Sequence, residues 1–489
     1  MSEIIELFDF KTKPYEHQMQ VLEKSWQEKY YALFMEMGTG KSKVAIDTIA
    51  ALFEAGEIDT ALILAPKGVY DNWIQGEIPT HLPERIKHKI LRWQPMVSKK
   101  FLQELKDFAI PKFREPETLH IFVMNVEAFS SGKGSETALD FLKLNPKSIM
   151  VVDESTTIKN RQAQRTKNII KCGRLCRYRR ILTGSPITKS PMDLFSQCDF
   201  LEEKCLGFNS FFAFQSRYAV IQKRMMGARS FNEVVGYRRL DELTEKLEPI
   251  STRVLKEDCL DLPKKVYQAR NVHLTLDQRK AYDQMKKHAL VLLENGELTT
   301  TQSVLTQIMR LQQITCGHLK TDEGEMLDLK SNRLNDLLDV VEEVNGKAII
   351  WATWSHDIVE ITNALKKKYG DDAAACYYGE TPQNERQQIV NTFQDEDNPL
   401  RFFVGQPKTG GYGITLTAAN TMIYFSNSYD LEIRLQSEDR AHRIGQEKPV
   451  TYIDLLAEKT IDEKIIQALR NKINLAGRVL GEEAKQWLL

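Results

Sequence analysis

The chain reads as an α/β protein of two parallel-sheet lobes with helical insertions and a C-terminal helical brace, and three observations predict this. A short apolar strand, a glycine loop and a helix follow one another within residues 31–53. Apolar runs of strand length then alternate with helical or loop stretches in the βαβ manner, in one block before residue 190 and a second after residue 331. Finally, 489 residues are too many for one hydrophobic core and suit two or three domains. The expected organisation is a first lobe over 1–190, a helical insertion and crossover over 191–262, a second helical block over 263–330, a second lobe over 331–459 and a brace helix over 460–489.

The first strand is Tyr31 to Met35 (YALFM), and Gly38, Thr39, Gly40, Lys41 and Ser42 follow before the helical pattern of Val44 to Phe53. Such a loop aims backbone N–H groups at phosphate oxygens at the positive end of a helix. Lys41 would reach the terminal phosphates, and the Ser42 hydroxyl would ligate magnesium. The full P-loop pattern has a glycine where this chain has Met35, and the short string alone reads equally as a turn before a helix. Further strands are expected at Ala61–Ala65, Ile121–Met124, Ile149–Val152 and Ile181–Leu182. The run SIMVV delivers Asp153 and Glu154 to its C-terminal end, the edge at which open parallel sheets bind ligands. Asp153 would hold hydrated magnesium, and Glu154 would orient and deprotonate a water. The run RYRR, Arg177 to Arg180, is read as a solvated helix end in preference to a nucleic-acid patch.

From Ser190 to about Pro263 the periodicity turns helical and aromatic, and the stretch around Gly227 and Gly236 reads as a loop. Phe208, Phe211, Phe212 and Phe214 suit a buried helix face better than a base-stacking platform. A second helical block runs from Thr275 to about Leu319, with His318 a packing or capping residue. Strands are then expected at Ala348–Trp351, Ala373–Tyr378, Phe402–Val404, Met422–Phe425 and Thr451–Leu455, and an amphipathic helix after Thr460. Hinge positions are expected near Leu262–Lys265 or Lys330–Leu334. The segment Gln436 to Gln446 (QSEDRAHRIGQ) carries Arg440 and Arg443, which taken alone read as a salt-bridged surface helix beside Glu438 and Asp439.

Together these residues resemble the Swi/Snf-type (sucrose non-fermenting) DNA translocases of helicase superfamily 2, with the motifs in the family's order over most of the chain. KPYEHQ, with Tyr15 and Gln18, resembles the adenine-reading element, MEMGTGKS motif I, and LAPKGVYDNW, with Pro66, Asn72 and Trp73, motif Ia. DEST followed by Ile158, Lys159 and Asn160 resembles motif II, and LTGSPIT, from Thr183 through Gly184, Ser185 and Pro186, motif III. AIIWATW resembles motif IV, TGGYGITLTAAN (Thr409 to Asn420) motif V, and DRAHRIGQ, the string most specific to the family, motif VI. Two departures stand out. Ser155 and Thr156 replace the usual Ala/Gly-His after the carboxylates, which puts the family's route between nucleotide and motif III in question. SNSYDLEIR replaces the usual aromatic-Asn-Pro wording.

The resemblance implies RecA-like lobes of the P-loop NTPase type and ATP hydrolysis with magnesium. Lys41, Asp153, Glu154, Arg440 and Arg443 would be catalytic, and Tyr15, Gln18, Gly38, Thr39, Gly40, Lys41, Ser42, Gly413 and Gln436 would bind nucleotide. Ser42 and Asp153 would hold the metal. Arginines supplied to such a site are worth on the order of 10³ to 10⁵ in rate. Coming from a second domain, they would make hydrolysis depend on closure over DNA, and closure and opening would become displacement. The expected activity is translocation on double-stranded or branched DNA in replication, recombination or repair. A strand-separating helicase is the alternative, and a nucleotide-gated binding protein acting on a partner such as RNA polymerase is a second.

Composition sets limits. Lys plus Arg equals Asp plus Glu at 67 each, with a pI near 7.1, so bulk attraction to a polyanion is excluded and phosphate contacts must be local. The loops Lys67–Trp73, Asn125–Ser130, Thr353–Ser355 and Lys408–Gly411 are the expected places. The named DNA candidates are Lys67, Asn72, Trp73, Thr183, Thr353, Trp354, Ser355, Thr409 and Gly410. The seven cysteines, Cys172, Cys176, Cys198 and Cys205 among them, have no zinc spacing and read as free thiols. With no apolar stretch of about 20 residues, a soluble cytoplasmic protein is expected. The absence of a chromatin-reading module points to a bacterial or virus-infected bacterial cell.

Overall fold

The computed structural model describes residues 8–67, 69–94, 98–226, 229–294, 301–321, 324–410 and 413–480. Gly227, Gly411, Tyr412 and the brace beyond residue 480 lie outside these. The described residues divide into two compact units, one of 8–218, 238–261 and 478–480, the other of 219–237 and 262–477.

The first unit is a wholly parallel seven-stranded sheet. Its strands are β1 (Tyr30–Met35), β2 (Thr60–Ala65), β3 (His88–Arg92), β4 (Leu119–Asn125), β5 (Ser148–Asp153), β6 (Tyr178–Leu182) and, after a hairpin of β7 (Ala219–Met226) and β8 (Arg229–Tyr237), β9 (Ser251–Val254). Spatially they run β3-β4-β2-β5-β6-β1-β9. Covered on both faces, β2, β4 and β5 are buried at every residue, which is why they read as unbroken apolar runs rather than alternating ones. The helix Lys41–Glu54 is buried over most of its length and packs Val44, Ile46, Ile49 and Leu52 into one core with β1, β2 and β4. Because every strand points the same way, the ends at Met35, Ala65, Asn125, Asp153 and Leu182 open on one edge.

Three sequence expectations change here. RYRR is not a helix end. It enters β6, where Arg180 is wholly buried and donates to the carbonyls of Ser25, Trp26 and Arg179, closing the C-terminus of the helix Glu16–Ser25. Arg179 and Arg177 pair with Glu202 and Glu57. The stretch with Gly236 is not a loop but the antiparallel β7–β8 hairpin. The nominal crossover also supplies β9, whose four residues complete the sheet beside β1. Of the four phenylalanines, Phe214 is buried against Phe208 and Tyr218, whereas Phe212 is 66% exposed.

The second unit is a six-stranded parallel sheet. β10 (Lys265–Val272), β13 (Lys347–Trp351), β14 (Ala374–Tyr377), β15 (Phe402–Gly405), β16 (Ala419–Tyr424) and β17 (Val450–Ala457) run β10-β17-β16-β13-β15-β14 in space, with apolar cores on both faces. β11 (His318–Lys320) and β12 (Met326–Asp328) form a separate antiparallel pair, so the expected helix stops at Cys316. His318 is buried 3.0 Å from Asp357. The hinge expected at Lys330–Leu334 is not a loose joint: Arg333 is fully buried and bonds the carbonyls of Phe425 and Leu455 and the Asp462 carboxylate. The helix Ile461–Leu480 packs Ile465, Ile466 and Leu469 against Leu431. Among the described residues no helix is long and apolar enough to cross a membrane.

Burial sets an acid limit on the first unit. It lowers His81 to about 4, with Lys43 adding to the effect, and lowers His120 to about 4, with Arg114 adding. A histidine whose folded pKa lies below its unfolded 6.5 contributes stability that is intact above pH 6.5 and lost as pH falls toward 4. Asp47, raised to about 6 by burial against the pull of Lys43, has the opposite sign, and being one group against two it offsets the loss only in part. The urea midpoint should therefore fall between pH 7 and pH 5, and His81→Gln with His120→Asn should flatten that fall; an equally steep profile in the variant would refute it.

Candidate active site

The glycine loop spans Glu36 to Gly40 between β1 and the helix beginning at Lys41. Gly38 and Gly40 have φ of 83° and 88°, a region that costs side-chain-bearing residues strain. At Gly40 a Cβ would also lie 2.1 Å from Gln18 Nε2. Gln18 is wedged there because its amide donates to the Thr39 carbonyl at 3.0 Å while its Oε1 accepts the Tyr15 N–H at 3.1 Å. The adenine-reading candidates are thus hydrogen-bonded to the phosphate loop itself. A ring nitrogen of His17 sits 2.8 Å from the same carbonyl, and the His17 ring stacks on Tyr15, which is 55% exposed. Thr39 is buried with its hydroxyl on the Glu36 carbonyl. From β9 and the turn after it, Arg253 and the Lys256 N–H hold the Glu36 carboxylate, and Arg253 also donates to the carbonyls of Phe34 and Gly184. His17, Arg253 and Lys256 were not among the sequence candidates. His17 adjoins Gln18 in KPYEHQ, but nothing local marks the other two.

β5 delivers Asp153 and Glu154 beside this loop. Lys41 Nζ lies 3.8 Å from Glu154 Oε1 with both side chains about nine-tenths buried, and Ser42 is half-buried in the first helical turn. Glu154 is held at φ 48°, ψ 63°, a left-handed conformation that costs of order 1–3 kcal/mol in a non-glycine residue and persists only where the surroundings enforce it. Asp153 Oδ1 accepts the Glu154 N–H at 3.0 Å, and Oδ2 accepts the indole N–H of Trp73 at 2.9 Å. Burial pushes the Asp153 carboxyl above its ordinary value, against Lys41 and these two donors.

Among the described residues no group of three or more His, Cys, Asp and Glu side chains could cage a metal. A carboxylate and a hydroxyl alone suit magnesium, which keeps waters and takes its remaining oxygens from substrate phosphates. Of the two expected magnesium ligands, Ser42 is half-buried, and each Asp153 carboxylate oxygen already accepts a hydrogen bond.

The expected nucleic-acid contacts separate. Lys67 and Asn72 are exposed, the Lys67 N–H facing Glu127 and the Asn72 amide on Glu77. Trp73 is not a DNA contact: it is 1% exposed and committed to Asp153. Thr183 is likewise buried, its hydroxyl accepting the Ser185 N–H. In the second unit Thr353 and Thr409 meet at Gln406, which donates to the Thr353 carbonyl and accepts from the Thr409 hydroxyl. Ser355 is exposed at the start of the helix Ser355–Tyr369, and Trp354 is half-buried before it. Gly410 is buried where a Cβ would come within 2.7 Å of Trp351, so its role is close packing.

Arg440, Arg443, Gln436 and Gly413 belong to the second unit. The helix Leu431–Glu438 starts on Asp430, whose carboxylate accepts the N–H groups of Glu432 and Ile433. Along its buried face Arg434 pairs with Glu438 at 2.8 Å and Asp454 at 2.6 Å and lies 3.4 Å from the Tyr424 ring centre. Lys265 and Tyr267 add bonds to Glu438. With Glu438 turned inward to Arg434, the surface-helix reading fails for that carboxylate. Downstream, Arg440 is 5% exposed and donates to the carbonyls of Gln436 and Ile414, while Arg443 is half-buried. His442 reaches the Pro263 carbonyl, and Gln446 those of Thr417 and Ala419. Gln436 is itself buried, and Gly413 has φ 74°.

Comparison with known proteins gives a consistent picture. Residues 17–320 match the model of the SNF2-related domain, and residues 329–445 that of the helicase conserved C-terminal domain. The uncharacterized ATP-dependent helicase MG018 of Mycoplasma genitalium is 26% identical over 92% of this chain and 40% of its own. Snf22, a SWI/SNF chromatin-remodeling complex subunit of Schizosaccharomyces pombe, is 26% identical over 91% of this chain and 26% of its own. The chain spans less than half the length of either relative. The SWI2/SNF2 ATPase core of Sulfolobus solfataricus, solved in complex with dsDNA, is 23% identical, covers 95% of this chain and 92% of that one, and has a TM-score of 0.42.

Removing the cation at the centre of the second unit's network leaves the buried Asp454 with the Asn427 amide and no cation, and leaves Glu438 to Lys265 and Tyr267. Arg434→Met should therefore lower the unfolding free energy by about 3–5 kcal/mol, read as a drop in urea midpoint; a loss under about 1 kcal/mol would show the network to be dispensable.

Proposed function

The chain belongs to the SNF2-related domain family, and from that premise we propose that it is an ATP-driven motor moving along double-stranded DNA. The observation that carries this reading is the assembly of Lys41, Asp153 and Glu154 around a glycine loop at one sheet edge, with Gln18 hydrogen-bonded to that loop. The N-terminus of the helix Lys41–Glu54 and the loop N–H groups suit a triphosphate, and Tyr15, exposed and stacked on His17, suits a base. Bound magnesium would neutralise charge on the phosphates. Glu154 would take the proton of an attacking water, and Lys41 would hold the terminal phosphates.

The proposal extends to Arg443 as the charge supplied to the transferring phosphoryl group, with Arg440, tied to the Gln436 and Ile414 carbonyls, fixing its segment. Hydrolysis would then require the second unit to be brought to the first, and duplex DNA is the proposed partner that favours this. Lys67 and Asn72 in the first unit, and Thr353, Ser355 and Thr409 in the second, are the proposed backbone contacts, needing no base readout. Branch remodelling or protein displacement in replication, recombination or repair is the proposed role.

Lys41→Ala and Glu154→Gln should abolish turnover while DNA binding survives. Arg443→Ala should bind nucleotide as wild type does but lose on the order of 10³-fold in DNA-stimulated rate; a loss of nucleotide affinity instead would reject its role. Triplex displacement without release of a duplex strand identifies a translocase, and strand release without triplex displacement rejects one.

A further inference from the structure

We propose that Gln197 is a positioning residue that holds Glu154 in its working conformation by locking the turn after it to the Thr183–Asp193 segment. The inference rests on the assignment of Glu154 as the base.

Glu154 needs such a lock. Its left-handed backbone is intrinsically unfavourable, and it precedes a single turn of 3-10 helix, Ser155–Ile158, too short to hold itself. The support comes from the helix Leu194–Leu201. Its Gln197 is fully buried, and its amide makes three hydrogen bonds. Oε1 accepts the Ser155 hydroxyl at 2.7 Å, and Nε2 donates to the carbonyls of Pro186 and Asp193, both at 2.8 Å. The two carbonyls accept only, so they fix which end of the amide carries the N–H groups and leave the oxygen facing Ser155.

The neighbouring bonds run the same way. Ser196 donates to the carbonyls of Ile158 and Lys159, and Lys159 donates to the Thr188 hydroxyl at 2.7 Å. Asp193 Oδ2 in turn accepts the N–H groups of Thr188 and Lys189. Of these bonds, the one from Gln197 reaches the residue directly after Glu154. Ser155 and Gln197 lie 42 residues apart in sequence, Ser155 inside the DEST string and Gln197 in no recognisable one.

Gln197→Met keeps the volume and removes all three bonds. In the full chain, ATP turnover should show kcat reduced roughly tenfold to a hundredfold, the range expected of a misplaced catalytic group, with KM for ATP within about twofold of wild type. The variant should also melt lower, because it strands a buried hydroxyl. Ser155→Ala combined with Gln197→Met removes that hydroxyl, so the melting temperature should recover in part while kcat stays low. Turnover that recovers along with the melting temperature, or that never falls, overturns the proposal and leaves Gln197 as packing. If Gln197→Met does not fold, Ser155→Ala alone decides: a lower kcat in the folded variant supports the lock, and an unchanged kcat refutes it. Failure of the wild-type chain to hydrolyse ATP would instead strike the assignment of Glu154, and this inference with it.

Discussion

The burial of two carboxylates against one lysine at the end of a parallel strand is the constraint on which the first unit turns. Asp153 and Glu154 could be exposed at no cost; instead they sit under Trp73 and beside Lys41, where desolvation must be offset by placed donors. The offsets come from the Trp73 indole, the Glu154 N–H and the Lys41 ammonium. The sheet makes this possible, because parallel strands send every C-terminus to one edge and β1 and β5 flank β6 there. Gln18 and Arg253 then fasten the glycine loop, at the Thr39 carbonyl and the Glu36 carboxylate.

The second unit solves a different problem by similar means. The segment Gln436–Gln446 is anchored at its start by Arg434, Glu438 and Asp454, a buried charge set formed when β17 and the helix Leu431–Glu438 pack together. Arg440 continues that scaffold through backbone carbonyls. Such a rigid anchor suits a segment whose side chains must be presented accurately.

Much of this was legible in the sequence, for identifiable reasons. β2, β4 and β5 are buried on both faces and so appear as apolar runs, and the loop Gly38–Ser42 is written in contiguous residues. β3 and β10 escaped notice because edge strands carry exposed polar side chains, and β9 because four residues between helical stretches give no periodicity. RYRR misled because a buried arginine bonded to helix-end carbonyls has the same letters as a solvated one. Trp73 misled because its motif suggests a surface loop, whereas its indole N–H satisfies Asp153. Gln197 and Arg434 were invisible, since their partners are brought together only by the fold.

The central claim, that hydrolysis at Glu154 depends on a bound duplex, is tested most directly by steady-state ATP turnover of the full chain without nucleic acid and with duplex DNA, single-stranded DNA or RNA. Duplex DNA should raise kcat by about tenfold or more, a transition-state gain of roughly 1.4 kcal/mol or above, with the other polymers doing less. The same rate under all four conditions would contradict it.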